Sequence, residues 1–303
     1  MIQKQAQNKK AYRRDWQYTD SARIAWSKII EEYKKKYPKG KVLLPGYIGW
    51  SANEGSGIFD SVEASGLDFD FYSLDARLEI DVESLKQKVS EDKTQLVLLV
   101  HYFGFTDKKY NEICDWLIAN KVYFVEDCAH AWLSDLIGGT CGRKGDYAFY
   151  SLHKLLPIDT GGVMVYNNSS SSEQVNNTIY LDLHFDLFSI YEARISNYKY
   201  LVQLLKDVEG VDVLYSTLEP GICPQTLPAI VKNYNRSQLY HEMNNEDFGL
   251  VSLYHTMIKQ LSDSPSEAAS QLSKNIINFP IHQDVTHDQL ASMVEKLKDI
   301  LNA

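Results

Sequence analysis

Apolar and polar positions alternate in a strand–helix–strand rhythm over the first half of the chain. The continuous apolar runs TQLVLLVHYFG and VYFVEDCAHA are typical of strands buried on both faces of a parallel sheet. KVLLPGYIG and DFDFYSL are also predicted to be strands. Between these runs, DSARIAWSKIIEEYKKKYPKG, IFDSVEASG, DVESLKQKV and DKKYNEICDWLIANK have helical periodicity. The pattern therefore predicts an α/β layered domain with a largely parallel sheet.

The second half of the chain changes character. The polar stretch NNSSSSEQVNN is predicted to be a loop, and FSIYEARISNYKYLVQLLKDV a long helix that bridges to a second domain. Short strands then alternate with helices up to the closing helix THDQLASMVEKLKDILNA. We expect a large α/β domain over residues 1–200 and a small α+β domain over residues 201–303.

Composition narrows the class of protein. The chain has 303 residues, a formal charge of −9 and a pI near 5.4, which argues against a nucleic-acid-binding surface. KKAYRR is interpreted as a solvated stretch or a local anion contact. Four cysteines without a C-x-x-C pair, no apolar leader and no run long enough to span a bilayer predict a cytoplasmic protein without a membrane partner.

Lys154 is the residue that asks for an explanation. It lies between apolar runs in YAFYSLHKLLPIDTGGVMVY, and a lysine is seldom buried without a partner. His101, Asp127 and Lys154 each follow a predicted strand, and ligands of such sheets collect beyond the carboxyl ends of the strands. Lys154 either reaches solvent or uses its amine for Schiff-base chemistry with an aldehyde.

An aldehyde such as pyridoxal phosphate needs further groups from the protein. Asp127 is suited to pair with the pyridine nitrogen, although an aspartate at a strand end is also a common helix cap. The helix start at Ser21 and Ala22 offers backbone N–H groups to a phosphate, or is an ordinary N-cap. Ser151 could add a hydroxyl group to the same phosphate.

Other polar and aromatic residues leave two interpretations open. His101 and His130 either lie near a cofactor ring or are structural histidines. Trp50 either covers a ring face or is an ordinary tryptophan. No spacing such as H-E-x-x-H supports a metal site, so none is predicted.

The ordered set TDSAR, LLPGYIG, VHYFG, VEDCAHA and GRKGDYAFYSLHKLLPIDTGGVMV resembles the DegT/DnrJ/EryC1/StrS family of sugar aminotransferases. The resemblance runs from about residue 18 to residue 166 and resumes in NIINFPIHQDVTHDQLASMVEKLKDIL. It implies a fold-type I pyridoxal-phosphate enzyme, built like aspartate aminotransferase, that works as a homodimer.

The resemblance also implies a role for each site residue. Lys154 is the imine lysine and proton carrier, and Asp127 pairs with the pyridine nitrogen. His130 lies near the phenolic oxygen of the cofactor, and His101 close to its ring. The phosphate group is held by Ser21, Ala22 and Ser151. The aromatic residue that stacks on the ring in this family corresponds only loosely to Gly49 or Trp50 here.

The implied reaction is amino transfer from L-glutamate to a keto sugar, expected to be nucleotide-linked, in polysaccharide or secondary-metabolite sugar biosynthesis. Relatives that dehydrate sugars carry histidine in place of the lysine, so Lys154 favours transamination. Two alternatives stay open: the cofactor could serve a non-sugar carbonyl, or the chain could be a degenerate relative with a regulatory or scaffold role. The short segment between GGVMVY and YEARISNYKY is the feature that keeps the second alternative open.

Overall fold

The computed structural model describes residues 14–92, 95–167, 185–262 and 267–302. The predicted polar loop NNSSSSEQVNN lies outside these residues, as does most of KKAYRR. Within the described residues the strands are β1 Arg14–Thr19, β2 Lys41–Pro45, β3 Asp68–Tyr72, β4 Gln95–Val100, β5 Tyr123–Asp127, β6 Tyr147–Ser151, β7 Gly162–Asn167, β8 Val211–Val213, β9 Thr226–Val231 and β10 Ile276–Pro280. The α-helices of the same residues are α1 Ala22–Lys36, α2 Phe59–Ser65, α3 Val82–Glu91, α4 Tyr110–Ala119, α5 Trp132–Leu136, α6 Leu187–Leu205, α7 Arg236–Asn244, α8 Lys259–Ser262, α9 Glu267–Asn275 and α10 His287–Asn302.

The larger sheet has the strand order β1-β7-β6-β5-β4-β2-β3 among the described residues. Its centre is parallel, because β3, β2, β4, β5 and β6 pair with one another in parallel register. At the other edge β7 runs antiparallel to β6, and β1 antiparallel to β7. The predicted α/β class with a mostly parallel sheet is confirmed.

Apolar strands form this sheet for the reason that the sequence indicates. The residues of β4 from Gln95 to Leu99 are all buried, as are those of β5 from Phe124 to Asp127. Helix α1 packs against this sheet through one apolar face, where Trp26 stacks on Phe149 of β6 at 5.6 Å between ring centroids. The carboxyl ends of β4, β5 and β6 therefore meet at one edge.

A second, three-stranded sheet has the order β10-β9-β8, with antiparallel pairs. Helices α6 and α10 pack against each other beside it. Residue 200, the predicted domain boundary, falls inside α6, and the division at this point stays a prediction.

One strand was missed. Arg14, the last residue of KKAYRR, begins β1. Its Nη1 and Nη2 groups donate to Oδ1 and Oδ2 of Asp135, at 3.1 and 2.8 Å. The interpretation of this stretch as solvated is therefore wrong for Arg14, whose side chain is only 12% exposed.

Candidate active site

The three groups expected beyond the strand ends line one cavity of about 200 Å³. His101 follows β4, Asp127 is the last residue of β5, and Lys154 lies in the loop after β6. Asp127 and His101 are held together through the backbone, because the N–H of His101 donates to the carbonyl of Asp127 at 3.0 Å. The sheet topology thus brings together residues up to 53 positions apart in the sequence.

Lys154 points its amine into this cavity rather than to solvent. Its Nζ lies 2.8 Å from Nε2 of His130. Burial lowers the pKa of the Lys154 amine, and the negative charges of Asp127 and Glu54 only partly oppose that shift. A lysine with a lowered pKa has a larger fraction of the neutral amine, which is the nucleophilic form.

Asp127 is a buried carboxylate with little local compensation. Its Oδ1 accepts a hydrogen bond from the N–H of Ala129 at 2.8 Å, and the residue is 5% exposed. Burial raises the pKa of Asp127, although the Ala129 N–H and the charges of Lys154 and His101 act in the opposite direction. Such a group is stabilised by a positive partner in the cavity.

The neighbouring residue, Glu126, was missed by the sequence reasoning. It is fully buried, and its Oε2 accepts from His101 Nε2 at 3.0 Å and from the hydroxyl of Tyr110 at 2.9 Å. Its Oε1 accepts from the N–H groups of Lys144 and Gly145, both at 2.8 Å, and the Gly142 N–H donates to Oε2. Burial alone would raise the pKa of Glu126, but His101 and these N–H groups lower it.

His101 therefore has a hydrogen bond to Glu126 of the sheet and also lines the cavity. Burial acts to lower its pKa, but the charges of Cys141, Glu126 and Asp127, with the Glu126 hydrogen bond, raise it to about 9. Cys128 and Cys141, whose spacing in the sequence did not indicate a pair, lie close to His101. Their Sγ atoms and one ring nitrogen of His101 are all within 4.8 Å of one another.

The start of α1 forms another part of the cavity wall, through Ala22 and Arg23. Ser21 is the N-cap of this helix, and its Oγ accepts from the N–H of Ile24 at 3.2 Å. The first turn of α1 contains no acidic residue, which suits an anion at this helix end. Arg23, which the sequence reasoning did not select, adds a guanidinium group to it.

Ser21 and Ser151 lie behind this wall rather than in it. Both meet Gly162: Ser151 is its partner in the β6–β7 pair, and a Cβ on Gly162 would lie 2.2 Å from the carbonyl carbon of Ser21. A glycine is required here because two backbones approach closely. The predicted roles of Ser21, Ala22 and Ser151 toward a phosphate stay predictions.

The outer wall comes from two segments distant in sequence. Trp50 lines the cavity and is 44% exposed, and its N–H donates to the carbonyl of Thr256 at 2.9 Å. Tyr254 lines the cavity from the same distant segment, and its ring centroid lies 6.0 Å from that of His130. His255, which the sequence could not place, is also in this wall.

The residues present fit the predicted cofactor. The cavity offers an amine for an aldehyde, a buried carboxylate for a protonated ring nitrogen, and a helix N-terminus with an arginine for a phosphate. The under-compensated carboxylate of Asp127 is the observation that most specifically fits a cationic ring atom.

Comparison with known proteins agrees with this site. Residues 60–184 match the model of the DegT/DnrJ/EryC1/StrS aminotransferase family. No curated protein sequence gives a significant match. No α-helix in the described parts of the chain is long and apolar enough to cross a membrane.

Several solved structures share the fold. The sugar aminotransferase CalS13 from Micromonospora echinospora is 15% identical, with a TM-score of 0.71 over 94% of this chain and 87% of that one. PseC from Helicobacter pylori, an aminotransferase of pseudoaminic acid biosynthesis, is 14% identical, with a TM-score of 0.76 over 95% and 86%. The E. coli GDP-4-keto-6-deoxy-D-mannose-3-dehydratase with bound hydrated PLP is 19% identical, with a TM-score of 0.73 over 93% and 87%.

At these identities the structural likeness establishes the fold, and the family match covers residues 60–184. The resemblance expected from the sequence motifs is thereby confirmed, and the predicted classification as a pyridoxal-phosphate-dependent aminotransferase is supported by it. Over residues 60–184 the chain carries the sequence signature of the DegT/DnrJ/EryC1/StrS aminotransferase family, and over nearly its whole length it has the fold of these solved aminotransferases.

Proposed function

We propose that this protein is a pyridoxal-phosphate-dependent aminotransferase that moves an amino group from L-glutamate to a nucleotide-linked keto sugar. The observation that carries the proposal is the amine of Lys154, buried beside His130 and in the same cavity as Asp127. When bound, the cofactor supplies an aldehyde for amine exchange and a ring that accepts electrons from a deprotonated substrate carbon.

Lys154 has two tasks in this function. Its amine would hold the aldehyde carbon of the cofactor, and the same amine would accept and return the proton of the substrate carbon. Burial lowers the pKa of Lys154, which increases the fraction of neutral amine that can accept a proton.

Asp127 and the start of α1 position the cofactor. The carboxylate of Asp127 would keep a ring nitrogen of the cofactor protonated. Ala22 and Arg23 at the N-terminus of α1 hold the phosphate, where the backbone N–H groups and the guanidinium group act together. Trp50 and His255 at the exposed side of the cavity are placed to contact the substrate.

The sugar, the glutamate donor and a homodimeric, cytoplasmic enzyme are parts of the same proposal. The names of the neighbours support a sugar substrate, since CalS13 is a sugar aminotransferase and PseC acts in pseudoaminic acid biosynthesis. The exposed apolar side chain of Trp50 in the cavity wall supports a partner subunit there. Light scattering of the purified protein tests the dimer, and a monomer with full activity would contradict it.

The first experiment is the visible absorption spectrum of the protein with pyridoxal phosphate, before and after L-glutamate. We expect a band for the cofactor attached to the lysine, its conversion by glutamate to the amine form, and its loss in Lys154→Ala. Lys232→Ala, which removes an exposed lysine paired with Asp212, is the matched control and keeps the band.

Each outcome is informative. Absence of the band contradicts the proposed cofactor chemistry and favours the degenerate relative. A band that glutamate does not change contradicts the proposed donor or reaction. With the first half confirmed, mass spectrometry on nucleotide-linked keto sugars separates amination from loss of water, and a dehydrated product would contradict transamination.

A further inference from the structure

The Phe103 N–H, the His130 ring and the Lys154 amine form a chain of hydrogen bonds at the wall of the cavity. The backbone N–H of Phe103 donates to Nδ1 of His130 at 3.2 Å. The opposite ring nitrogen, Nε2, lies 2.8 Å from Nζ of Lys154. Phe103 is completely buried and His130 is 5% exposed, so the hydrogen bond between them is shielded from water.

The positions of the protons follow from donor and acceptor capacity. A neutral imidazole has one N–H and one lone pair, and a backbone N–H can only donate. Because Phe103 donates to Nδ1 of His130, the lone pair lies on Nδ1 and the proton on Nε2. An N–H at Nε2 needs an acceptor, and a lysine amine can accept only in its neutral form.

We propose that the peptide N–H of Phe103 fixes the tautomer of His130, so that His130 Nε2–H holds Lys154 as an oriented, neutral amine ready to bind the cofactor. This inference rests on the proposed function and adds to it a positioning role for His130 in the cofactor-free protein. His130 acts here before the cofactor is attached.

The alternative proton arrangements are unfavourable in this environment. An ammonium at Lys154 that donates to Nε2 would require an N–H at Nδ1, which would face the Phe103 N–H at 3.2 Å. A doubly protonated His130 would face the same N–H and the lysine as well. Burial is the largest cause that lowers the pKa of His130 well below its usual value, and it keeps the ring neutral whether or not Lys154 is charged.

Charged groups around Lys154 and His130 raise or lower the pKa values of these two residues. Asp127 and Glu54 favour an ammonium at Lys154, whereas burial disfavours it and has the larger effect. His153 is half-buried, and burial followed by the charge of Lys154 lowers its pKa. From the distant wall, the Tyr254 ring packs edge-on against His130 without contributing a charge, since burial raises the pKa of Tyr254.

The backbone conformation of Phe103 orients its N–H toward His130. Phe103 has a φ of 55° and a ψ of 13°, a left-handed conformation that is unfavourable for an aromatic residue. Gly104, with a φ of 94°, follows at once, and a Cβ there would lie 2.7 Å from the carbonyl oxygen of Cys223 and 2.8 Å from that of His130. The strained turn therefore directs the Phe103 N–H at the imidazole.

The first test is long-range 1H–15N correlation NMR of the cofactor-free protein with labelled histidine. We expect a protonated Nε2 and an unprotonated Nδ1 for His130, whose signals are assigned by their absence in His130→Gln or their shift in Lys154→Met. A protonated Nδ1 overturns the proposal, and this readout does not depend on a folded His130 variant.

The second test is the pH dependence of acylation of Lys154 by acetic anhydride, read by mass spectrometry against an exposed lysine of the same protein. We expect Lys154 to react with a midpoint below that of the exposed lysine. Glutamine at position 130 can turn its oxygen toward an ammonium, so His130→Gln should raise the midpoint by about one pH unit. His153→Gln, which changes a histidine without contact to the amine, is the matched control and should leave the midpoint in place.

These results separate the inference from the proposed function. A protein that attaches the cofactor through Lys154 but keeps the same midpoint in His130→Gln overturns this inference alone. A protein with the expected tautomer and midpoint that never forms the cofactor band overturns the proposed function instead.

Discussion

Replacement of Glu126 by glutamine tests the buried carboxylate that ties the end of β4, helix α4 and the loop before β6 together. Five donors surround its two oxygens, and the side chain has no exposed surface. Glutamine has nearly the same shape, so the substitution changes hydrogen-bonding capacity and charge while leaving the packing in place.

The magnitude follows from the geometry. A glutamine amide keeps one acceptor oxygen and presents an NH₂ group in place of the other. With the amide nitrogen in the place of Oε1, the N–H groups of Lys144 and Gly145 face a donor. In the other orientation only the Gly142 N–H must do so, because a neutral His101 and the Tyr110 hydroxyl can accept from the amide. A buried donor without an acceptor costs about 1–3 kcal/mol, so we expect the free energy of unfolding to fall by about 1–3 kcal/mol.

Urea unfolding at pH 7 measures this difference. Asp115→Asn is the matched control, because Asp115 is an exposed carboxylate 2.7 Å from the ammonium of Lys144, and it should cost no more than about 1 kcal/mol. Loss of the Glu126 charge should also lower the pKa of His101 from about 9, as followed by NMR. If Glu126→Gln were as stable as the control and His101 titrated unchanged, the described network would be refuted.

Three further predictions concern the same region. Asp127→Asn should stabilise the cofactor-free protein at pH 7, since burial raises the pKa of this carboxyl group and the folded state disfavours its charge. In urea unfolding, this gain in unfolding free energy should shrink as the pH falls and be absent below about pH 4. Gly162→Ala should cost about 1–3 kcal/mol in urea unfolding, because its Cβ would collide with the backbone of Ser21, whereas Gly57→Ala has open space and should cost less. The raised pKa of His101 contributes stability that is fully present below pH 6.5 and is lost as the pH rises through about 9. The difference in unfolding free energy between the native protein and His101→Gln should therefore shrink from pH 6.5 to pH 9.

The parallel core could be predicted because its pattern is local. Runs such as TQLVLLV and VYFV are apolar at consecutive positions, which indicates burial on both faces before any contact is known. The rule that ligands gather at the carboxyl ends of such strands then placed His101, Asp127 and Lys154 together, and the structure has them in one cavity.

The rest of the site depends on contacts that local pattern does not encode. Tyr254 and His255 reach the cavity because their segment pairs with residues 48–50, about 200 positions earlier, and neither residue carries a local signal of that pairing. Arg14 looked like part of a basic surface cluster, yet a partner more than 100 residues away, Asp135, makes its burial favourable. Long-range charge pairing of this kind is visible only in three dimensions.

Glu126 and Asp127 are adjacent at the end of β5, but one has a structural role and the other faces the cavity. Successive side chains of a strand point to opposite faces, so these adjacent carboxylates enter different environments. Glu126 meets five donors and its pKa is lowered, which makes it a structural anion that needs nothing further. Asp127 meets one N–H in the cavity and its pKa is raised, so its charge remains under-compensated until a cation enters. The neutral amine inferred for Lys154 does not supply that cation. A protonated ring nitrogen would supply it, so the charge of Asp127 favours binding of the cofactor.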